Sequence, residues 1–144
     1  MIITIPGEPV AKGRPRFTTR GNHARAITPK KTVNFESLVA LFAADQFVGE
    51  PYGRDVALTI TIDAYHKRPK RLCRRKDPTG RIKKTSRPDV DNLGKSILDG
   101  LQNAGIFVDD AQIQTLIIRK WYCSFVALLP AVPRTVVKIE ANVE

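Results

Sequence analysis

Residues 55–65 alternate without a break: Val56, Leu58, Ile60 and Ile62 fall on one side of an extended chain, and Ala57, Thr59, Thr61 and Asp63 on the other. This is the pattern of a strand with one face buried, and such a strand requires neighbouring strands and a covering layer. The rest of the sequence offers both. Residues 1–5 form a β-branched run stopped by Pro6 and Gly7. Thr32 suits an N-cap for a helix whose Phe35, Leu38, Val39, Phe42 and Phe47 follow three/four spacing until Gly49 and Pro51. Leu93, Ile97, Leu98, Leu101 and Ala104 mark the apolar face of a second helix closed by Gly105. Two more strands follow. Residues 112–122 carry Ile113 and Ile117 against Leu116 and Ile118, and residues 134–141 turn Val137, Ile139 and Ala141 inward. The order strand, helix, strand, helix, strand, strand predicts an α+β fold, with two main helices packed on one mixed β-sheet and long basic loops between. A length of 144 residues predicts a single domain, residues 1–144.

Charge separates those loops from the body. Residues 67–87 hold eleven basic side chains and one acid, Asp77, and residues 11–31 hold seven basic side chains and no acid. These two stretches account for more than the whole excess of +10, so an acidic body carries two cationic arms. Both read as surface loops, broken by Gly13, Pro15, Gly21 and Pro29 in one and by Pro69, Pro78 and Gly80 in the other. The second is expected to stay mobile until an anion orders it. A polyanion is the natural partner, because each neutralised phosphate releases condensed counterions. Lys12, Arg14, Arg16, Lys67, Arg68, Lys70, Arg71, Arg74, Arg75, Lys83, Lys84 and Arg87 are the candidate DNA contacts. No apolar run is long enough to span a bilayer, and residues 1–6 lack the features of a signal peptide, so a cytoplasmic protein without a membrane partner is expected.

Against this basic background, Asp89, Asp91, Asp109 and Asp110 fall within about two dozen positions of one another. Asp89 and Asp91 share a face only in extended backbone. Pro88 keeps Arg87 out of the helical region, which favours an extended entry with the helix starting after Asp91. Lys95 follows one turn later on the same side. Asp109 and Asp110 stand at the head of the next strand, and whether the chain brings them back to Asp89 is not fixed by the sequence. If the carboxylates converge, their repulsion, roughly 4 kcal/mol for a pair about 4 Å apart, requires a cation among them, and an all-oxygen set selects Mg²⁺ or Mn²⁺. The plainer readings are a helix cap for Asp89 or Asp91, a turn for the Asp109-Asp110 pair, and an i,i+4 ion pair for Lys95. Cys123, after Trp121 and Tyr122, reads as core, while Cys73 among arginines reads as a reactive thiol. No Cys or His pair has zinc-ligand spacing, and His23 and His66 read as solvated loop residues.

The run Arg87-Pro88-Asp89-Val90-Asp91-Asn92-Leu93-Gly94-Lys95, followed by Phe107-Val108-Asp109-Asp110-Ala111-Gln112, resembles the signature of the RusA family of Holliday junction resolvases, carried typically by phages and prophages. Residues 12–17 and Thr28-Pro29-Lys30 are similar to the amino-terminal pattern of its phage-type members. The resemblance implies metal-binding catalytic carboxylates at Asp89, Asp91 and Asp110, Asp109 as a possible neighbouring ligand, and a catalytic lysine at Lys95. It implies a homodimer that nicks two strands of four-way junction DNA symmetrically, with Mg²⁺ (or Mn²⁺) and no small-molecule cofactor, in the cytoplasm of a bacterium or an infected host. The alternatives are a non-catalytic nucleic-acid-binding module, for which the arms suffice, and a nuclease acting on other structured or duplex DNA.

Overall fold

The computed structural model describes every residue of the chain other than Asn22, Ala127, Leu128 and Glu144. In chain order the elements are β1 (Ile2–Pro6), β2 (Arg16–Arg20), β3 (His23–Ile27), α1 (Lys30–Gln46), β4 (Leu58–His66), β5 (Ile82–Lys83), α2 (Val90–Asn103), β6 (Ile113–Tyr122), β7 (Phe125–Val126), β8 (Leu129–Pro130) and β9 (Arg134–Ala141). Single 3₁₀ turns form at Lys70–Leu72 and Asp110–Gln112. One five-stranded sheet runs in the order β1-β9-β4-β6-β5, and it is mixed because β4 and β6 are parallel while its other pairs are antiparallel. Parallel neighbours need a crossover, and α2 supplies it between β4 and β6. The α+β architecture expected from the sequence is therefore the one observed.

Both helices contribute to a single core against the sheet. Leu58, Ile60 and Ile62 of β4 meet Ile3 and Ile5 of β1, Val137 and Ile139 of β9, Phe35 and Val39 of α1, and Ile97 and Leu101 of α2. The spacing of Leu93, Ile97 and Leu101 gives α2 its buried stripe, and the two helices approach closely because Gly100 has no side chain. A Cβ at Gly100 would stand 2.6 Å from Val39 Cβ and 2.9 Å from the Glu36 carbonyl oxygen. A Cβ at Gly94 would likewise strike Ile118 of β6, at 2.5 Å from its Cδ1. The Arg87–Lys95 run thus begins in the loop ahead of α2 and continues into a helix seated on both α1 and the sheet.

Several expectations need correction. The arm at residues 11–31 is not a loop throughout: β2 and β3 pair antiparallel around Gly21, whose φ is +66°. Its Arg, Thr and Ala alternation escapes an apolar-pattern reading because neither face is buried. α1 begins at Lys30, with Pro29 at its cap, and Thr32 lies inside it. The Thr32 hydroxyl is buried and accepts from the Gly13 N–H at 2.9 Å, so it anchors the preceding arm instead of capping. β4 starts at Leu58, later than expected. In β9 it is Thr135, Val137 and Ile139 that face inward, while Ala141 is exposed. α2 starts at Val90, one residue ahead of Asp91, so Asp91 is helical.

The arm at residues 67–87 has a defined course. Arg68, 3% exposed, donates to the carbonyls of Cys123 (2.9 Å), Leu72 (3.0 Å), Pro78 (2.7 Å) and Gly80 (2.7 Å), and its guanidinium lies 4.3 Å from the centre of the Phe125 ring. β5 then joins the arm to the sheet through Tyr122 and Trp121 of β6. His66 is buried at the end of β4, not solvated, with Nδ1 3.0 Å from Glu8 Oε1. Cys123 is buried, as expected for core, and burial pushes its thiol pKa up; Cys73 is exposed. No described helix is long and apolar enough to cross a membrane.

Candidate active site

The head of α2 is held by contacts that leave its carboxylates free. Lys120 Nζ, from β6, donates to the carbonyls of Ser86 (2.7 Å) and Pro88 (2.8 Å), which fixes the approach to the helix. Ser96 Oγ donates to the Val10 carbonyl at 2.6 Å, and the Lys12 N–H donates to the Asn92 carbonyl at 2.8 Å, so the chain after β1 lies along the first turns of α2. Asp89 occupies the N-cap in extended backbone but makes no side-chain cap hydrogen bond, and Asp91 falls in the first helical turn. Both are exposed, and neither carboxylate has a hydrogen-bond or ion-pair partner among the described residues. The helix N-terminus favours negative charge there without occupying the oxygens.

Lys95 is exposed and pairs with neither Asp91 nor Asp99 among the described residues, so the simple i,i+4 ion pair does not form. Asp99 is engaged elsewhere. Lys12 Nζ bridges Glu36 Oε1 of α1 (2.6 Å) and Asp99 Oδ2 of α2 (2.8 Å). Burial works against the Lys12 charge, but the hydrogen bonds it donates to Asp99 and Glu36 outweigh it and hold the ammonium above its ordinary pKa.

Asp109 and Asp110 form a second acidic position with a different construction. Asp109 Oδ1 accepts from the Ala111 N–H at 2.9 Å, and Gln112 Oε1 accepts from the Asp109 N–H at 3.1 Å, which makes a capping box. The Ala111 N–H and the Asp110 side chain hold Asp109 below the ordinary carboxylate range. Asp110 moves the other way: the adjacent Asp109 carboxyl raises its pKa first of all, and burial and the charges of Asp109 and Asp99 add to the rise. Gln112 also donates from Nε2 to the carbonyls of Gly53 (3.0 Å) and Val56 (2.9 Å). The Asp-Asp-x-Gln run is thus the brace between the end of α2 and the start of β4. The Asp109 to Gln112 spacing is the signal in the sequence for this brace, since it is the spacing of a capping box.

The two acidic positions lie at opposite ends of β6. The head of α2 packs near Ile118 and Lys120, whereas Asp110 precedes Ile113. Five strand steps separate Ile113 from Ile118, about 17 Å at roughly 3.3 Å per residue. One chain therefore sets Asp89, Asp91 and Lys95 along the cap and first turns of α2 and Asp110 at the other end of β6, and because Asp91 is helical it does not share with Asp89 the single face expected of an extended entry. Accordingly, among the described residues no group of three or more Asp, Glu, His or Cys side chains is gathered around a single point.

Two adjoining cavities lie beside Asp89. One, of about 370 Å³, is lined by Ala11, Arg87, Pro88, Asp89 and Asn92; the other, of about 430 Å³, continues from Arg87 and Pro88 past Lys84 and Lys31 to Glu8 and His66. Lys84 Nζ donates to Ser86 Oγ at 2.7 Å and lies 3.4 Å from the Tyr122 hydroxyl, whose pKa is lowered by its Ser86 hydrogen bond and by Lys84 against a smaller opposing effect of burial. Of the cations singled out from the sequence, Arg14, Arg16, Lys67, Lys70, Arg71, Arg75, Lys83 and Arg87 are exposed with no side-chain partner among the described residues. Arg74 is tied to Asp77. Arg68 and Lys12 are engaged within the fold: the first is buried and donates to four carbonyls, and the second bridges Glu36 and Asp99 between the helices. A basic run looks the same whether an arginine faces solvent or closes a loop, which is why Arg68 was not distinguishable.

A basic α+β domain with unpaired carboxylates at one helix head is the frame of a protein that acts on a polyanion. The family described as endodeoxyribonuclease RusA matches residues 6–140, nearly the whole chain, and the chain belongs to that family of Holliday junction nucleases. It is also 33% identical over 125 residues to YqaN of Bacillus subtilis (strain 168), described as uncharacterized, with 83% of this chain and 86% of that protein covered.

Proposed function

We propose that this protein is a divalent-metal-dependent endodeoxyribonuclease that resolves four-way DNA junctions as a homodimer, cutting two symmetry-related strands. The observation that carries the reading is the pair of exposed, unpartnered carboxylates of Asp89 and Asp91, held beside Lys95 on a firmly seated helix in a family of nucleases. The donor set is all carboxylate oxygen, which fits a hard cation, Mg²⁺ or Mn²⁺. When bound, that ion would acidify a water and offset negative charge on the phosphodiester. Lys95 would donate to a phosphate oxygen, and exposed cations including Arg87, Lys83 and Lys70 would hold the flanking backbone. Hydrolysis there would add the water oxygen to phosphorus and break the P–O3′ bond, with the water's proton passing to O3′ through solvent, leaving a 5′-phosphate and a 3′-hydroxyl.

Asp110 joins the site only if a second copy supplies it. β5 covers β6 at Trp121 and Tyr122, and the Lys84 N–H donates to the Lys120 carbonyl at 3.1 Å; among the described residues the edge ahead of Lys120 is unpaired, and Leu116 (41% exposed) and Ile117 (42%) stand open on the strand. Such an edge is a template for another strand. Antiparallel pairing of two β6 strands about a two-fold axis would set the start of one strand against the end of the other, and so Asp110 of each copy toward Asp89 and Asp91 of its mate. A two-fold dimer then offers one site to each of two equivalent junction strands.

Among the described residues of one chain no three carboxylates gather at one point, and this is the observation that favours the competing reading, a non-catalytic DNA-binding module. Cleavage decides between them. Purified protein is incubated with a synthetic four-way junction, a Y-shaped DNA and a linear duplex, with Mg²⁺ or with chelator. The nuclease reading expects Mg²⁺-dependent paired nicks in the junction that Asp91→Asn abolishes; uncut junction, or equal cutting by Asp91→Asn, overturns it, and equal cutting of all three DNAs removes the junction preference.

A further inference from the structure

The β2–β3 ribbon belongs to no layer of the fold. Among the described residues its strands pair only with each other, and every classified residue in them is exposed. The register sets Arg16 opposite Ile27, Phe17 opposite Ala26, Thr18 opposite Arg25 and Thr19 opposite Ala24. Since paired residues share a face and successive residues alternate, Arg16, Thr18, Arg25 and Ile27 lie on one side, and Phe17, Thr19, Ala24 and Ala26 on the other. The ribbon thus has a cationic side, and a second side on which one aromatic ring stands among short side chains. Phe17 is 77% exposed, and no described element packs over it.

A large apolar ring left in water on a cationic projection calls for an apolar ligand that is itself part of a polyanion. A nucleobase with an open face is such a ligand. An intact duplex hides its base faces in the stack, whereas the centre of a branched DNA is where stacking is interrupted. The root of the ribbon is also tied to the candidate active site: the Lys12 N–H bonds to the Asn92 carbonyl and the Gly13 N–H to the Thr32 hydroxyl. Five residues separate Lys12 from Phe17, a reach of at most about 17 Å at roughly 3.4 Å per residue. That is about five base-pair steps along a duplex.

We infer that the ribbon enters the branch point of bound DNA, with the Phe17 ring stacked on a base exposed there and Arg16 and Arg25 on the flanking phosphates. The inference rests on the reading of the protein as a junction-specific nuclease and adds to it the residue that distinguishes branched from linear DNA. Duplex arms would bind through charge alone; the branch would gain the stacked ring.

The test compares wild type, Phe17→Ala and Phe17→Trp in binding to a four-way junction carrying 2-aminopurine at the branch and to a linear duplex of equal length, at one salt concentration and without divalent ion. Phe17→Ala is expected to bind the junction roughly 5- to 150-fold more weakly and the duplex within about twofold of wild type, and to lose the 2-aminopurine response. Phe17→Trp is expected to keep both affinity and response. Because Phe17 supports no packing, all three proteins should melt alike. Unchanged junction binding by Phe17→Ala, or an equal loss on duplex, overturns the inference. Wild-type cleavage in Mg²⁺ scores the nuclease reading separately: a junction that is cut while Phe17→Ala binds normally refutes the stacking alone, and a junction that is bound through Phe17 but never cut refutes the nuclease alone.

Discussion

Replacing Gly100 by alanine sets two opposing effects against each other at the joint that holds the candidate active site. In an open helix, Gly→Ala stabilises by about 1 kcal/mol, because glycine loses more backbone freedom on folding. Here the new Cβ would lie 2.6 Å from both Val39 Cβ and Cγ1 and 2.9 Å from the Glu36 carbonyl oxygen. Val39 is fully buried and the carbonyl is backbone, so neither can swing away, and the helices must part by several tenths of an ångström. Overpacking of this kind costs typically 1–3 kcal/mol. With one close atom on the backbone and another a fully buried Cβ, the cost belongs in the upper part of that range, about 2–3 kcal/mol, and less about 1 kcal/mol of propensity Gly100→Ala should destabilise by roughly 1–2 kcal/mol, lowering Tm by about 2–8 °C for a chain of this size. Thermal and urea melts followed by circular dichroism measure it. Val39→Ala alone should also destabilise, by about 2 kcal/mol through lost burial and a cavity. Val39→Ala removes Cγ1 but keeps the Cβ, so in the double variant the close contacts to the residue 39 Cβ and to the Glu36 carbonyl remain, and the double should still be less stable than Val39→Ala alone. A neutral or stabilising Gly100→Ala, in the wild type or beside Val39→Ala, would refute the close helix contact from which the seating of Asp89, Asp91 and Lys95 is argued.

Arg68→Met removes the donor to four carbonyls while keeping an apolar stem; it should cost about 3 kcal/mol or more and make residues 70–80 the first site of limited proteolysis, whereas Lys70→Met should change neither. Glu8 tests the acid side: burial alone would raise its pKa, but the His66 and Lys67 hydrogen bonds outweigh this and lower it. A carboxylate depressed on folding contributes stability above its unfolded pKa and loses it as pH falls through the folded value. Glu8→Gln should therefore be less stable than wild type at neutral pH, with the gap in Tm closing toward pH 3; a gap that is constant with pH would refute the pairing.

The parts of the fold that were legible are those where burial writes a period into the sequence. β4 declared itself through Leu58, Ile60 and Ile62, and α2 through Leu93, Ile97 and Leu101. The ribbon did not, because neither of its faces touches the core and Arg, Thr and Ala leave no apolar rhythm. Thr32 has the chemistry of an N-cap but is used one turn later, since its hydroxyl is needed by Gly13 and Pro29 can open the helix without a side-chain cap. Of the candidate site, Asp89, Asp91 and Lys95 are near one another by local geometry, which spacing conveys. The place of Asp110 depends on how α2 and β6 run past each other, and two antiparallel elements of similar length carry their far ends apart. That separation is a property of the tertiary path, invisible to spacing, and it is what turns the question from one chain to two.

The measurement that bears most directly on this account is complementation between two inactive variants, Asp91→Asn and Asp110→Asn, each expected to leave stability unchanged because its side chain is exposed. Mixed one to one under conditions that allow subunit exchange, random pairing gives about half mixed dimers, each with one intact site of two, so about a quarter of wild-type sites. The account expects Mg²⁺-dependent nicking of a four-way junction to reappear in the mixture at about that level, one strand at a time, while each variant alone stays inactive. A mixture as inactive as its components, under exchange shown to have occurred, would mean that each chain carries its own complete site, and the shared arrangement of Asp89, Asp91 and Asp110 would be wrong.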